Sequence, residues 1–162
     1  MAKNSKFYKM RQKYLSHPLQ GLGAHILYWF FAAMPIDMAS NFAGRLMRNL
    51  GPKMGQTKKA RNNLTRAFPE KSKDEIEEIV ADMWENLGRS AGEIPHLHKL
   101  QPGGPRIEIV GLEHGLASRD DGKPGLFFTG HIGNWEVSMC IATVLGMDMM
   151  SVYRAPDNPW VD

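Results

Sequence analysis

The apolar positions fall into stretches of different period. Residues 19–50 read LQGLGAHILYWFFAAMPIDMASNFAGRLMRNL, and 21–36 within them hold His25 but no charged side chain. That window carries Pro35 and is shorter than the roughly 20 apolar residues of a membrane span, so it reads as a helix lying in an interface. Tyr28 and Trp29 suit headgroup depth. Asp37 is placed to cap a second helix. Its Met38, Ala39, Phe42, Ala43, Leu46, Met47 and Leu50 form one stripe, and Ser40, Asn41, Arg45, Arg48 and Asn49 form the other.

The next segments are also helical. Residues 57–67 set Ala60 and Leu64 against Lys58, Lys59, Arg61 and Arg66, and Pro69 ends the run. Ser72 and Glu75 then form a capping box. Behind it Ile76, Ile79, Val80, Met83, Trp84, Leu87 and Ala91 keep the spacing of a buried helix face. Asp74, Glu75, Glu77 and Glu78 stand in the first turns, where the helix dipole favours them, and read as a solvated face with no functional role.

The period changes at Arg106. Ile107 and Ile109 alternate against Arg106 and Glu108 as in a strand, and 112–118 form a short helix. Asp121-Gly122 and Pro124-Gly125 are turn signals before Leu126-Phe127-Phe128-Thr129, an apolar run suited to a buried parallel strand. Gly133 and Asn134 mark a tight turn and a cap. Residues 135–145 follow as a helix with Val137, Cys140, Ile141 and Val144 inward, and a third strand begins over 151–153. The expected fold class is therefore α/β: membrane-associated N-terminal helices in 1–56, then a helical segment and the start of an α/β sheet in 57–162. Ligands of such sheets bind beyond the carboxyl ends of the strands.

Composition narrows the classes. The 162 residues are 43% hydrophobic and 23% charged, which describes one folded domain rather than a disordered chain. A single cysteine, Cys140, excludes an intramolecular disulfide. The net charge of +3 hides an asymmetry. Residues 1–66 carry twelve Lys or Arg against one acid, a balance of +11, whereas 67–162 carry eight against sixteen, a balance of −8. The aromatics of the basic part form one block apart from its cations, which points to an anionic membrane surface rather than nucleic acid. The competing use is burial of both helices against a soluble domain. The long basic leader through Lys13, with no small-x-small site after it, reads as retained rather than cleaved.

Two histidine patterns carry possible chemistry. His96 and His98 follow Pro95, but no second ligand cluster has matching spacing, so they read as loop histidines and no metal is assigned. His131 comes directly after the apolar run 126–129, with Glu136 at the start of the next helix. A carboxylate there can hold one imidazole N–H and leave the other nitrogen as a base, with the substrate's own hydroxyl as nucleophile. Amides around Asn134 and Trp135 are candidates to hold an oxyanion. From the residues alone, a structural histidine remains an equal alternative.

GHIGNWE, reached through LFFT and followed by VYRAPDNP, resembles the bacterial lipid A biosynthesis acyltransferases, the late lauroyl and myristoyl transferases. The likeness extends back through KKARNNLTRAFPEKSKDEIEEIVADMWENLGRS and covers the N-terminal half of the family's pattern. It implies an H-x4-D/E acyltransferase in which His131 deprotonates a lipid hydroxyl and Glu136 orients His131. It also implies an acyl carrier protein thioester as donor, a lipid A precursor as acceptor, and the cytoplasmic face of the bacterial inner membrane as location. No metal or soluble cofactor is implied. Arg154 matches a family arginine and is the candidate for substrate phosphate or oxyanion contact, with Asn134 and Trp135 as geometry and packing residues. Two alternatives share these features: transfer to another glycolipid such as a phosphatidylinositol mannoside, and a noncatalytic membrane-binding fragment.

Overall fold

The computed structural model describes residues 10–100, 104–152 and 158–160. A π turn, Gln12–Ser16, leads into α1 (His17–Ala32), which has Pro18 in its first turn, where a missing N–H is tolerated. Then come α2 (Ile36–Leu50), α3 (Thr57–Ala67), α4 (Lys73–Glu93), α5 (Leu112–Asp120) and α6 (Glu136–Val144). Short 3-10 turns cover Gly51–Lys53 and Ile94–Lys99.

The capping box is formed. Ser72 Oγ accepts from Glu75 N at 3.3 Å, and Ser72 N donates to Glu75 Oε2 at 2.8 Å. These bonds, with Lys71 nearby, hold the Glu75 carboxyl below its ordinary range. From this start α4 runs along α2, and the pair forms the centre of the molecule. Ile76, Val80 and Trp84 supply the apolar part of the buried face of α4, but Gly88 and Gly92 continue it. A Cβ on Gly88 would stand 2.5 Å from the Ala43 carbonyl oxygen, and one on Gly92 would stand 2.6 Å from that of Ala39. The two backbones therefore approach through Ala39, Ala43 and two glycines. At the other end Trp84 Nε1 donates to Thr57 Oγ1 at 2.9 Å, and that hydroxyl donates to the Gly51 carbonyl at 2.7 Å.

Ion pairs flank this contact. Arg48 of α2 pairs with Glu78, Asp82 and Glu85 of α4, and Arg61 of α3 donates to Glu77 and to the Pro52 carbonyl, each at 2.8 Å. Glu77 and Glu78 thus tie neighbouring helices to α4 instead of merely facing solvent. Arg61 holds the Glu77 carboxyl below its ordinary range.

Several sequence expectations need correction. Asp37 does not cap α2: Pro35 holds the cap position, and Asp37 lies in the first turn, its two carboxylate oxygens accepting from the two terminal nitrogens of Arg106 at 2.7 Å. That pairing pulls the Asp37 carboxyl below its ordinary range. The bulky α2 stripe, which the sequence left open between a membrane surface and burial against a domain, is not the buried face of that helix. Met38, Phe42, Leu46 and Leu50 are exposed, while Ala39, Ser40, Ala43 and Gly44 are buried. On α4, Met83 and Leu87 are exposed as well. His96, read as a loop histidine, lies in the Ile94–Lys99 turn and is fully buried, with Nε2 3.0 Å from the Phe31 carbonyl oxygen and Nδ1 3.2 Å from Lys99 Nζ. His96→Phe would leave the Phe31 carbonyl without its donor and is expected to lower stability by about 1–3 kcal/mol in a thermal melt.

The α/β expectation is overturned: the described residues are helical and contain no strand, and α6 packs against the Ile94–Lys99 turn rather than on a sheet. A strand exists only through cross-strand hydrogen bonds. Among the described residues, no backbone hydrogen bond joins 106–109, 126–129 and 151–152 to one another. Arg106 turns toward Asp37 instead, and Leu126, Phe128 and Val152 are exposed. Apolar alternation made these segments fit for a sheet without supplying the neighbours.

Among the described residues, no helix is long and apolar enough to cross a membrane. The exposed apolar side chains nevertheless form two rows. Leu19, Leu22, Ile26 and Trp29 line α1, and Met38, Phe42, Leu46 and Leu50 line α2. The Phe30 and Phe42 rings, 5.9 Å apart edge to face, connect the two helices.

Candidate active site

Residues 130–136 form the turn between an extended segment and α6. Ile132 N donates to the Gly130 carbonyl at 2.9 Å, and Gly133 follows at φ 60°, a left-handed conformation in which a Cβ would be strained. Val137 N then donates to the Asn134 carbonyl at 3.2 Å and Ser138 N to that of Trp135 at 3.2 Å, opening the helix. Glu136 is its first residue.

Two residues of α4 hold this turn. Ser90 Oγ donates to the Gly133 carbonyl at 3.2 Å, in addition to Asn86 O at 3.0 Å. Glu93 Oε2 accepts from Asn134 Nδ2 at 2.8 Å, while its Oε1 accepts from Ser40 Oγ of α2 at 2.7 Å. The Asn134 side chain therefore does not cap α6. Its Oδ1 is buried without a donor among the described residues.

His131 and Trp135 stack with ring centroids 4.7 Å apart and planes tilted by 41°. His131 and Glu136 are both exposed, and among the described residues no hydrogen bond joins them. The turn thus brings His131, Asn134 and Trp135 into one cluster and leaves Glu136 at its helical end. Val137 is half-buried; the side chains of Cys140, Ile141 and Val144 are outside the described set, and so is Arg154.

Beside Asn134 opens a polar cavity of about 350 Å³, lined by Asp37, Ser40, Asn41, Arg89, Glu93 and Arg106 among others. Its cations are engaged: Arg106 with Asp37, and Arg89 with Asn41 at 2.7 Å and Glu85 at 2.6 Å. The cluster Lys58, Lys59, Arg61 and Arg66 is likewise reduced, because Arg61 is bound to Glu77.

Sequence reasoning missed Ser40, Ser90 and Glu93. One signal was available for Glu93. A carboxylate in the last turn of a helix opposes the dipole, so an acid there calls for donors of its own.

An exposed histidine stacked on tryptophan thus lies in a braced turn that runs into a helix starting with glutamate. The profile of the bacterial lipid A biosynthesis acyltransferases matches residues 8–162, and the chain belongs to that family. Its kind of function is accordingly acyl transfer in lipid A biosynthesis, with a lipid A precursor as substrate. No curated protein and no solved structure matches the chain.

Proposed function

We infer that the protein moves a fatty acyl chain from an acyl carrier protein thioester to a hydroxyl of a lipid A precursor, with His131 as general base. The observation that carries the reading is the exposed His131 on a turn anchored to α4, in a chain of this family. His131 takes the proton of the acceptor hydroxyl, and the oxygen attacks the thioester carbonyl carbon. The tetrahedral oxyanion collapses as the carbon–sulfur bond breaks, and the carrier's thiolate leaves with the proton from the imidazolium. Glu136 orients His131 and balances the charge of the imidazolium. Closure of the turn on substrate would bring the two within hydrogen-bond reach, since catalytic hydrogen bonds often tighten only in the complex. Trp135 supports the imidazole face, amides at the start of α6 are the candidates for the oxyanion, and Arg154 is assigned to substrate phosphate or oxyanion.

The apolar rows of α1 and α2 support membrane attachment by residues 1–56, on the cytoplasmic face of the inner membrane. Apolar area combined with basic charge is the pattern of an interfacial anchor. Trp29, 69% exposed, should enter the headgroup region. Its fluorescence is expected to shift to the blue with phosphatidylglycerol vesicles, and Trp29→Ser with Phe42→Ser should weaken binding at least tenfold; unchanged binding of that variant would place the anchor elsewhere.

The function is tested by acceptor profiling. Membranes carrying the protein receive labelled acyl carrier protein thioester with either a lipid A precursor or a phosphatidylinositol mannoside. Label on the first acceptor alone is expected. Label on the mannoside alone would replace the substrate assignment, and label on neither, with vesicle binding intact, would leave a membrane-binding module.

A further inference from the structure

We propose that Glu93 is a positioning residue for the acyl-transfer turn, fixing residues 131–136 through Asn134 from the end of α4. This rests on the reading of His131 as the base. Asn134 lies between His131 and Glu136 in sequence, and its side chain has one hydrogen bond among the described residues, to Glu93 Oε2 at 2.8 Å. Its other polar atom, Oδ1, is buried without a donor. The amide is therefore held from one side, and loss of the Glu93 acceptor releases it altogether. A carboxylate only accepts, so it also dictates which way Asn134 faces.

The brace has a second point and a rigid base. Ser90, one turn before Glu93, holds the adjacent Gly133 carbonyl, so two consecutive residues of the turn are tied to one helix. Glu93 is itself held by Ser40 of α2, and Gly88 and Gly92 seat α4 on α2 at backbone distance. The path from the helix pair to the turn is thus Ser40, Glu93, Asn134. None of the three touches the reacting atoms. Their role is to keep the imidazole where an incoming hydroxyl meets it, and a displacement of about 1 Å at such a point can cost about 10²-fold in rate.

Glutamine at position 93 can still accept from Asn134 with its carbonyl oxygen and donate to Ser40 Oγ with its amide, whereas alanine can do neither. The experiment measures kcat and KM for acyl transfer in Glu93→Ala, Glu93→Gln, Asn134→Ala and the Glu93→Ala/Asn134→Ala double variant, with His131→Ala alongside. Expected are a fall in kcat of about 10–100-fold for Glu93→Ala with KM within about twofold, and recovery of most of that loss in Glu93→Gln. The double variant should be no worse than its poorer single, because both act through one contact. A rise in KM at constant kcat, an equal loss in Glu93→Gln, or losses that multiply in the double variant would each overturn the proposal. Should Glu93→Ala lack a cooperative melt, Asn134→Ala removes the same contact from the other side, and full activity there also overturns it. An active His131→Ala would defeat the base assignment itself. An inactive His131→Ala beside a fully active Glu93→Ala would defeat only the brace.

Discussion

Replacing His131 with alanine is expected to lower kcat for acyl transfer by about 10²- to 10⁴-fold, the range that a positioned general base contributes. A hydroxyl is a poor nucleophile at neutral pH, and the chemistry requires its proton to leave as the carbon–oxygen bond forms. On the proposed reading His131 takes that proton: it is exposed, stacked at 4.7 Å on Trp135, and carried by a turn anchored through Gly133 and Asn134. Its replacement removes the imidazole but neither the anchors nor the apolar rows of α1 and α2. Vesicle binding and the thermal midpoint should therefore stay near wild type while kcat falls. A variant that keeps acyl transfer within a few-fold would show that another group takes the proton.

The second large effect concerns the helix pair beneath the turn. Alanine on an exposed helix is more favourable than glycine by about 1 kcal/mol, yet Gly88→Ala should destabilise the protein. The new Cβ would stand 2.5 Å from the Ala43 carbonyl oxygen and 2.7 Å from Met47 Cβ, and the backbone oxygen cannot step aside. Overpacking of this kind costs about 1–3 kcal/mol, and Gly88→Val should lie at or above the upper end. Gly23 of α1 is the control. A Cβ there meets nothing within 4 Å, so Gly23→Ala should be neutral or stabilising. Thermal or urea melts of the three variants read the sign directly, and a stabilising Gly88→Ala would mean that α2 and α4 are not in backbone contact.

This contact explains how far the sequence could be read. Local signals served well: the capping box of Ser72 and Glu75 starts α4, and α3 occupies the residues whose pattern had Pro69 at its end. Signals that depend on a partner served less well. Apolar bulk put Met83 and Leu87 on the buried face of α4, but the helices meet through Ala39, Ala43, Gly88 and Gly92, which a count of bulky residues passes over. Strand-like alternation at Ile107 and Ile109 came to nothing for the same reason, since alternation is local and a ladder is not.

At the candidate site the tight turn was legible: Gly133 takes the positive φ that such a turn needs, and Glu136 opens α6, but among the described residues the expected hydrogen bond between Glu136 and His131 is not formed. What holds it was not legible. Ser40 and Glu93 lie 94 and 41 residues from Asn134, and the bonds among the three are visible only when α2 and α4 are folded together. The asparagine was expected to cap α6 because caps are the common local use of that side chain. Glu93 takes its amide instead.

The most direct measurement is the mass of the lipid product. Membranes carrying the protein are incubated with a fatty acyl thioester of acyl carrier protein and a tetraacylated lipid A precursor, and the lipids are analysed by mass spectrometry. The account predicts a product heavier by one acyl chain in ester linkage, absent when His131 is alanine. An unchanged precursor from wild-type membranes, or the same heavier product from the His131→Ala membranes, would contradict it.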